Sequence, residues 1–137
     1  MENLLSETSR QLAGVLFIAL VTVESGGLYL LRIVRGRANV TPFQQSFARA
    51  GHAHAGVLLV LALVSQPFVD ATNLTGFWEW TARSGVAIAA LLMPGGFFLA
   101  SMGPGRTEPN RLIALVFAGA ALLAVGLASL GVGLLMS

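Results

Sequence analysis

Four long apolar stretches run through the chain, separated by short polar segments. They cover about residues 11–33, 42–66, 76–102 and 110–135. Each is close to the roughly 20 apolar residues that a helix needs to cross a bilayer, and a helix satisfies its own backbone hydrogen bonds in lipid. Short connections make consecutive helices antiparallel neighbours. The pattern predicts an all-α integral membrane four-helix bundle that forms a single transmembrane domain over residues 1–137.

The second helix has the clearest local signals for its start and its end. Thr41, Pro42 and Gln44 match a capping box with proline at the first helical position. Pro67 lacks a backbone N–H and clashes with the preceding turn. The helix is therefore expected to run from Pro42 to about Gln66.

A short internal repeat relates the two halves of the chain. The segment GGLYL at residues 26–30 corresponds to GGFFL at residues 95–99, and a Gly-Arg pair follows each at the same spacing. This repeat predicts two tandem helical hairpins related as a parallel repeat. In the repeat alignment, the ionisable residues of the first hairpin correspond to residues without ionisable side chains in the second. The first hairpin is therefore expected to carry the functional site. Met93, Ala121 and Leu123 stand where the first hairpin has Glu24, His52 and His54.

Composition supports a membrane location, because 55% of the residues are hydrophobic and only 10% are charged. Soluble domains carry about 25% charged residues. The chain has no cysteine, which excludes disulfides and thiolate ligands. Its formal net charge is only +2, so no nucleic-acid partner is expected.

The arginines predict the orientation of the helices. Six of the eight lie between helices 1 and 2 or between helices 3 and 4, and two lie on the opposite side. By the positive-inside rule both of those loops face the cytoplasm and both termini lie outside. Short loops and the lack of a signal-like start suit a bacterial inner membrane.

Both histidines lie in residues 48–56, at the head of the second helix. His52 and His54 are two positions apart, so their side chains point about 200° apart and cannot bind one metal ion together. One interpretation is a haem or metal ligand, and the other is a pair of solvated interfacial rings. Gly51 beside His54 would leave room for a flat macrocycle, and Arg49 would pair with propionates.

A haem bound here would have at most one strong axial ligand from the chain, because no other histidine and no cysteine is present. Methionine or Tyr29 is a weaker candidate for the opposite position. An open position suits a substrate oxygen or a gas better than pure electron transfer.

Glu24 lies inside the first apolar helix, where a charged carboxylate costs about 2.5–3.5 kcal/mol. It is therefore expected to face the bundle interior, to be protonated or to have a partner. Two roles stay open: a hydrogen bond to a neighbouring helix, or a functional role as a catalytic or proton-relay group, a metal ligand or a partner for a histidine.

These motifs resemble those of the styrene oxide isomerases, small four-helix membrane proteins. The closest match is residues 48–56, where the family has a haem-ligating histidine in an Ala-Arg-Ala-His-Ser-Gly context. The His-small-Gly pattern places the ligand on His54, while the spacing from Arg49 favours His52; we prefer His54. Further similarity lies at residues 12–14, 26–29 and 81–83.

The resemblance implies haem b, a homotrimer, and an isomerase in which ferric haem acts as a Lewis acid on an epoxide oxygen. Two polar residues of the family are absent: its asparagine corresponds to Leu58 or Val60, and its tyrosine to Phe98. The alternative is a haem or metal protein for gas sensing, haem handling or redox support. In either case the expected partners are the lipid bilayer, further copies of the chain and a small hydrophobic substrate or gas.

Overall fold

The computed structural model describes residues 4–137, which form helices joined by short connections and contain no strand. The helices are α1 (Glu7–Val34), α2 (Pro42–Asp70), α3 (Gly76–Ala100) and α4 (Ala114–Leu135), with a 3-10 turn at Arg111–Ile113 before α4. All four are long and apolar enough to cross a membrane. The predicted all-α class is confirmed, and its architecture is compatible with a four-helix bundle.

The start of α2 was predicted correctly, but its end was not. Thr41 accepts a hydrogen bond from the Gln44 backbone, and the Gln44 side chain bonds the Thr41 N–H in return, so the capping box is present. Pro67 does not end the helix, which continues to Asp70. Proline removes only its own N–H donor, and its carbonyl still accepts from Ala71 at 3.2 Å.

The other helix limits differ from the expected ones by a few residues. The first helix begins at Glu7 rather than near residue 11, because the Ser6 hydroxyl caps it by accepting from the Ser9 backbone. The third ends at Ala100 rather than near residue 102. The fourth begins with the 3-10 turn, which the Asn110 side chain caps through the Leu112 N–H.

α3 is the central helix of the fold. It packs against both α2 and α4, whereas α1 packs principally against α2. Half of the most apolar stretch of α3 is buried, against 6% of that of α1. The helices therefore do not enclose α1, and its outer face is bare within one chain.

Glycines let α3 and α4 approach closely. A Cβ atom on Gly85 would lie 3.0 Å from the Cα atom of Gly126, and one on Gly119 would lie 2.5 Å from the Met93 side chain. Helix pairs in membranes gain their stability from such close packing. α3 and α4 form the most extensively packed helix pair of the described chain.

A hydrophobic core joins α1, α2 and α3. Its most buried members contact one another at the centre of the molecule, and together they hold the three helices in register. They are Leu16, Leu58, Leu59, Ala62, Val86, Ala90 and Met93.

Candidate functional site

The two histidines occupy different faces of α2, as their spacing predicted. The His54 ring lies 5.0 Å from the ring of Phe97 on α3, measured between centroids. Its Nδ1 atom lies 2.7 Å from the carbonyl oxygen of Ala50. Because a carbonyl only accepts, Nδ1 is the donor in this hydrogen bond, and Nε2 has no hydrogen-bond partner within residues 4–137.

The other ring, that of His52, rests on the two glycines of α1. A Cβ atom on Gly26 would lie 3.0 Å from its Nδ1 atom, and one on Gly27 would lie 3.5 Å from its Cε1 atom. His52 is half-buried, and neither of its ring nitrogens has a hydrogen-bond partner within residues 4–137. The glycine pair thus cradles a polar ring that the described chain leaves unsatisfied.

A groove of about 400 Å³ opens beside His52, between α1 and α2. Apart from the histidine its wall is apolar, and two of its α2 residues are small. Arg49 is exposed and lies one turn before Ala53 on α2. It is therefore on the same face of α2 as Ala53, next to the groove. The lining consists of Val23, His52, Ala53, Gly56, Val57 and Val60.

The space beside Gly51 is not free. A Cβ atom on Gly51 would lie 2.9 Å from the Phe98 ring, which covers this position. The expectation that Gly51 leaves room for a macrocycle next to His54 was therefore wrong. The phenylalanine comes from α3, which a pattern along α2 alone does not reveal.

Glu24 does not join the histidines within one chain. It is exposed on α1 and has no hydrogen bond or ion pair with the described residues. Of the three alternatives expected for Glu24 (facing the bundle interior, being protonated or having a partner), the interior position does not occur, because α1 uses its glycine face for the contact with α2. Tyr29 is also on the outer surface of α1, with 41% of its area exposed.

No cluster of three or more metal-binding side chains exists within residues 4–137. A metal ion held by side chains alone would therefore lack the usual ligand number. One histidine remains sufficient for a prosthetic group that brings its own equatorial ligands.

The opposite end of the molecule holds a polar network that the sequence analysis missed. Arg83 of α3 is only 8% exposed. Its guanidinium nitrogens lie 3.0 Å from the Asp70 carboxylate and 3.1 Å from that of Glu79. It also donates a hydrogen bond to the Ser9 hydroxyl. Arg83 had been counted only as a charge on the outer side.

This network ties three helices together. Asp70, the last residue of α2, accepts hydrogen bonds from the Ser6 backbone at 2.9 Å and from the Ser9 hydroxyl at 2.9 Å, at the start of α1. Gln66 is fully buried beside it and donates to the Arg83 carbonyl at 3.2 Å. The i, i+4 spacing of Glu79 and Arg83 was the only available local signal.

An apolar cavity of about 560 Å³ lies at this same end, between the start of α3 and the end of α4. Its wall includes Trp78 and Ser129, and the serine hydroxyl is bonded to Val125 and Thr81. The hydroxyl group in the wall of this cavity is therefore satisfied within the described chain. The groove at His52 is the better candidate for a functional site.

These features define a class of protein: an all-helical chain with four apolar helices and a groove beside His52, whose ring nitrogens have no hydrogen-bond partner among the described residues. Comparisons with known protein families, with curated proteins and with solved structures find no match. The function must therefore be argued from the groove itself.

Proposed function

We propose that the protein is an integral membrane protein that binds haem b in the groove between α1 and α2. The observation that carries this proposal is the His52 ring, half-buried beside an apolar groove with no hydrogen-bond partner in the described chain. In apolar surroundings such as lipid, a polar ring without a partner is costly unless a ligand completes it.

The membrane part of the proposal rests on the four apolar helices and on the arginines. The loops that join α1 to α2 and α3 to α4 face the cytoplasm, and both termini lie outside. The two helix pairs are tandem hairpins, and the host membrane is a bacterial inner membrane. The bilayer covers the apolar outer faces of the helices.

The groove suits a flat prosthetic group. Its volume lies within the roughly 300–1,000 Å³ of small-molecule sites. Ala53 and Gly56 have small side chains and leave space in the groove, and no atom lies within 4 Å of the position that a Gly56 Cβ would take. Arg49, one turn from the histidine, pairs with the propionates near the membrane surface.

His52 is the ligand in this arrangement, although the resemblance favours His54. The free Nε2 atom of His54 also suits a metal, but Phe97 and Phe98 occupy the adjacent space on α3. His52 has the groove and the small neighbours. His54 is kept as the alternative ligand, which a pair of variants separates.

The lack of any polar side chain other than His52 in the groove wall limits the chemistry of the site. Haem bound in the groove would supply a Lewis-acid iron. Val57 and Val60 line the groove, and their apolar side chains would favour a small hydrophobic molecule or a gas over water. The positions of the missing family residues add no polar group: Leu58 packs in the core against α3, Val60 is apolar, and Phe98 of α3 packs on Gly51 of α2.

The absence of such a group favours a haem protein for gas binding or haem handling over an epoxide isomerase. The isomerase stays a second candidate on the resemblance alone. Assembly as a homotrimer is likewise part of the proposal only through that resemblance.

The test is the absorption spectrum of the protein purified in detergent with added haemin. We expect a Soret band that His52→Ala abolishes and His54→Ala retains. Loss of the band only in His54→Ala would move the ligand to His54 and remove the groove from the proposal. No band in the parent protein would refute haem binding.

A separate assay addresses the isomerase. Haem-loaded protein is given an aryl epoxide, and aldehyde formation is followed. Turnover by the parent that is lost with haem would establish the isomerase, and no turnover by fully loaded protein would eliminate it.

A further inference from the structure

Glu24 is exposed on the outer surface of α1, in the middle of an apolar helix. Its neighbours on that surface, Val21 and Leu28, are about two-thirds exposed. Neither an ion pair nor a hydrogen bond satisfies the carboxylate within the described residues. In a bilayer this position is expensive unless another molecule provides a partner.

His54 offers a matching group on another face of the molecule. Its Nδ1 atom is used by the Ala50 carbonyl, while its Nε2 atom has no partner within residues 4–137. Its ring lies toward α3, and α1 packs on the side of α2 that carries His52. Glu24 and His54 therefore cannot meet within one chain.

The two groups nevertheless lie at nearly the same depth along the bundle. The contact between His52 and Gly26 sets the register of the antiparallel helices α1 and α2. Glu24 is two residues before Gly26, which is about 3 Å deeper at helical rise. His54 is two residues after His52, again about 3 Å deeper.

We propose that Glu24 of one copy of the chain lies against His54 of a second copy, where the Glu24 carboxyl group and the Nε2 atom of His54 share one proton in a hydrogen bond between subunits. Copies related by rotation about an axis along the membrane normal keep every residue at its own depth, so equal depth is the condition for this contact. A membrane-buried acid and a half-buried imidazole satisfy each other, which neither lipid tails nor the chain itself can do.

The contact also assigns different roles to the two histidines. His52 lines the groove of its own chain, and His54 belongs to the interface. The proposal goes beyond haem binding and does not depend on it, because it concerns only how copies adjoin.

Thiol cross-linking tests the contact directly, since the chain has no cysteine. A Glu24→Cys chain and a His54→Cys chain with different tags are co-expressed, and native membranes are treated with a short bifunctional thiol reagent. We expect a covalent product that carries both tags. The matched control replaces Glu24→Cys by Ser25→Cys, which is exposed at the same depth but about 100° around α1.

The control should give at least several-fold less product. The proposal is overturned if the mixed product is missing, if Ser25→Cys gives as much of it, or if Glu24→Cys chains cross-link chiefly to each other. None of these results depends on haem, so they are distinguishable from a failure of the haem proposal.

A swap provides a second measurement that does not need cysteine. Glu24→His alone and His54→Glu alone should shift the detergent-solubilised protein toward single chains in native mass spectrometry. The double variant should restore the assembly. Single variants that assemble like the parent would overturn the contact.

Discussion

Two regions of the bundle treat their polar side chains in opposite ways. At the end where α1 begins, Arg83 is buried, and two carboxylates and a serine surround it. Nearer the middle, in the half of the bundle where α2 begins, His52, Glu24 and Arg49 have no hydrogen-bond or ion-pair partner among residues 4–137. Arg83 and its two carboxylates are paired within the described residues, where Gln66 Oε1 is the one buried side-chain N or O atom without a partner; the second region has no such pairs.

The difference separates structural polar groups from functional ones. A buried charge that is paired and hydrogen-bonded holds helices together, as Arg83 does for three helices. Groups that stay unsatisfied in apolar surroundings need a ligand or another subunit. This comparison gives four measurements, ordered from the largest expected effect.

Replacing Arg83 should cost most. Arg83→Met leaves Asp70, whose side chain is only 14% exposed, without its cation, and breaking a buried pair typically costs about 3–5 kcal/mol. The free energy of unfolding, measured by denaturant titration in detergent, should fall by that amount. Arg10→Met, an exposed position on α1 with no ion pair among the described residues, should change it by less than about 0.5 kcal/mol. Equal effects would show that the network is not structural.

The close packing beside Arg83 should respond next. A Cβ atom on Gly126 would lie 3.0 Å from the Thr81 carbonyl and 3.2 Å from Gly85. Both neighbours are backbone atoms, so Gly126→Ala should lower the free energy of unfolding by about 1–3 kcal/mol.

Gly131 is the matched control on the same helix. A Cβ atom there meets nothing within 4 Å, so Gly131→Ala should be neutral or raise stability by up to about 1 kcal/mol. A Gly126→Ala protein as stable as Gly131→Ala would mean that α3 and α4 are not held this closely.

The start of α2 is held to the loop after α3 by hydrogen bonds of its cap residues. Thr41 caps the helix and donates to the Arg106 carbonyl, and Gln44 donates to the carbonyls of Ser101 and Gly103. Thr41→Ala should cost about 0.5–2 kcal/mol in the same titration. Thr107→Ala, in the exposed loop nearby, should leave the free energy of unfolding unchanged. A loss of stability as large as that of Thr41→Ala would show that the effect is not specific to the cap.

The smallest effect concerns the His52 cradle. Gly26→Ala places a methyl group 3.0 Å from the histidine ring, which must leave its preferred rotamer at a cost of about 0.5–1.5 kcal/mol. Haemin affinity, measured from the Soret absorbance, should fall about two- to tenfold. Gly14→Ala on the same helix meets no neighbour within 4 Å and should keep the parent affinity; an unchanged affinity in Gly26→Ala would weaken the case for His52.

Local patterns predicted much of this molecule. The four apolar helices, the capping box at Thr41 and the opposed faces of His52 and His54 follow from spacing and from side chains a few residues apart. Such features depend on helical periodicity and on local hydrogen bonds, so they can be predicted from the sequence.

The sequence by itself therefore determined the helical class and the position of His52 and His54 on different faces of α2. Only the tertiary structure decided that Arg83 is buried, that Phe98 covers Gly51 and that Glu24 points away from the bundle. Each of these depends on which helices become neighbours and on how they are rotated. That choice is made by packing between residues far apart in the chain, and no pattern within one helix encodes it.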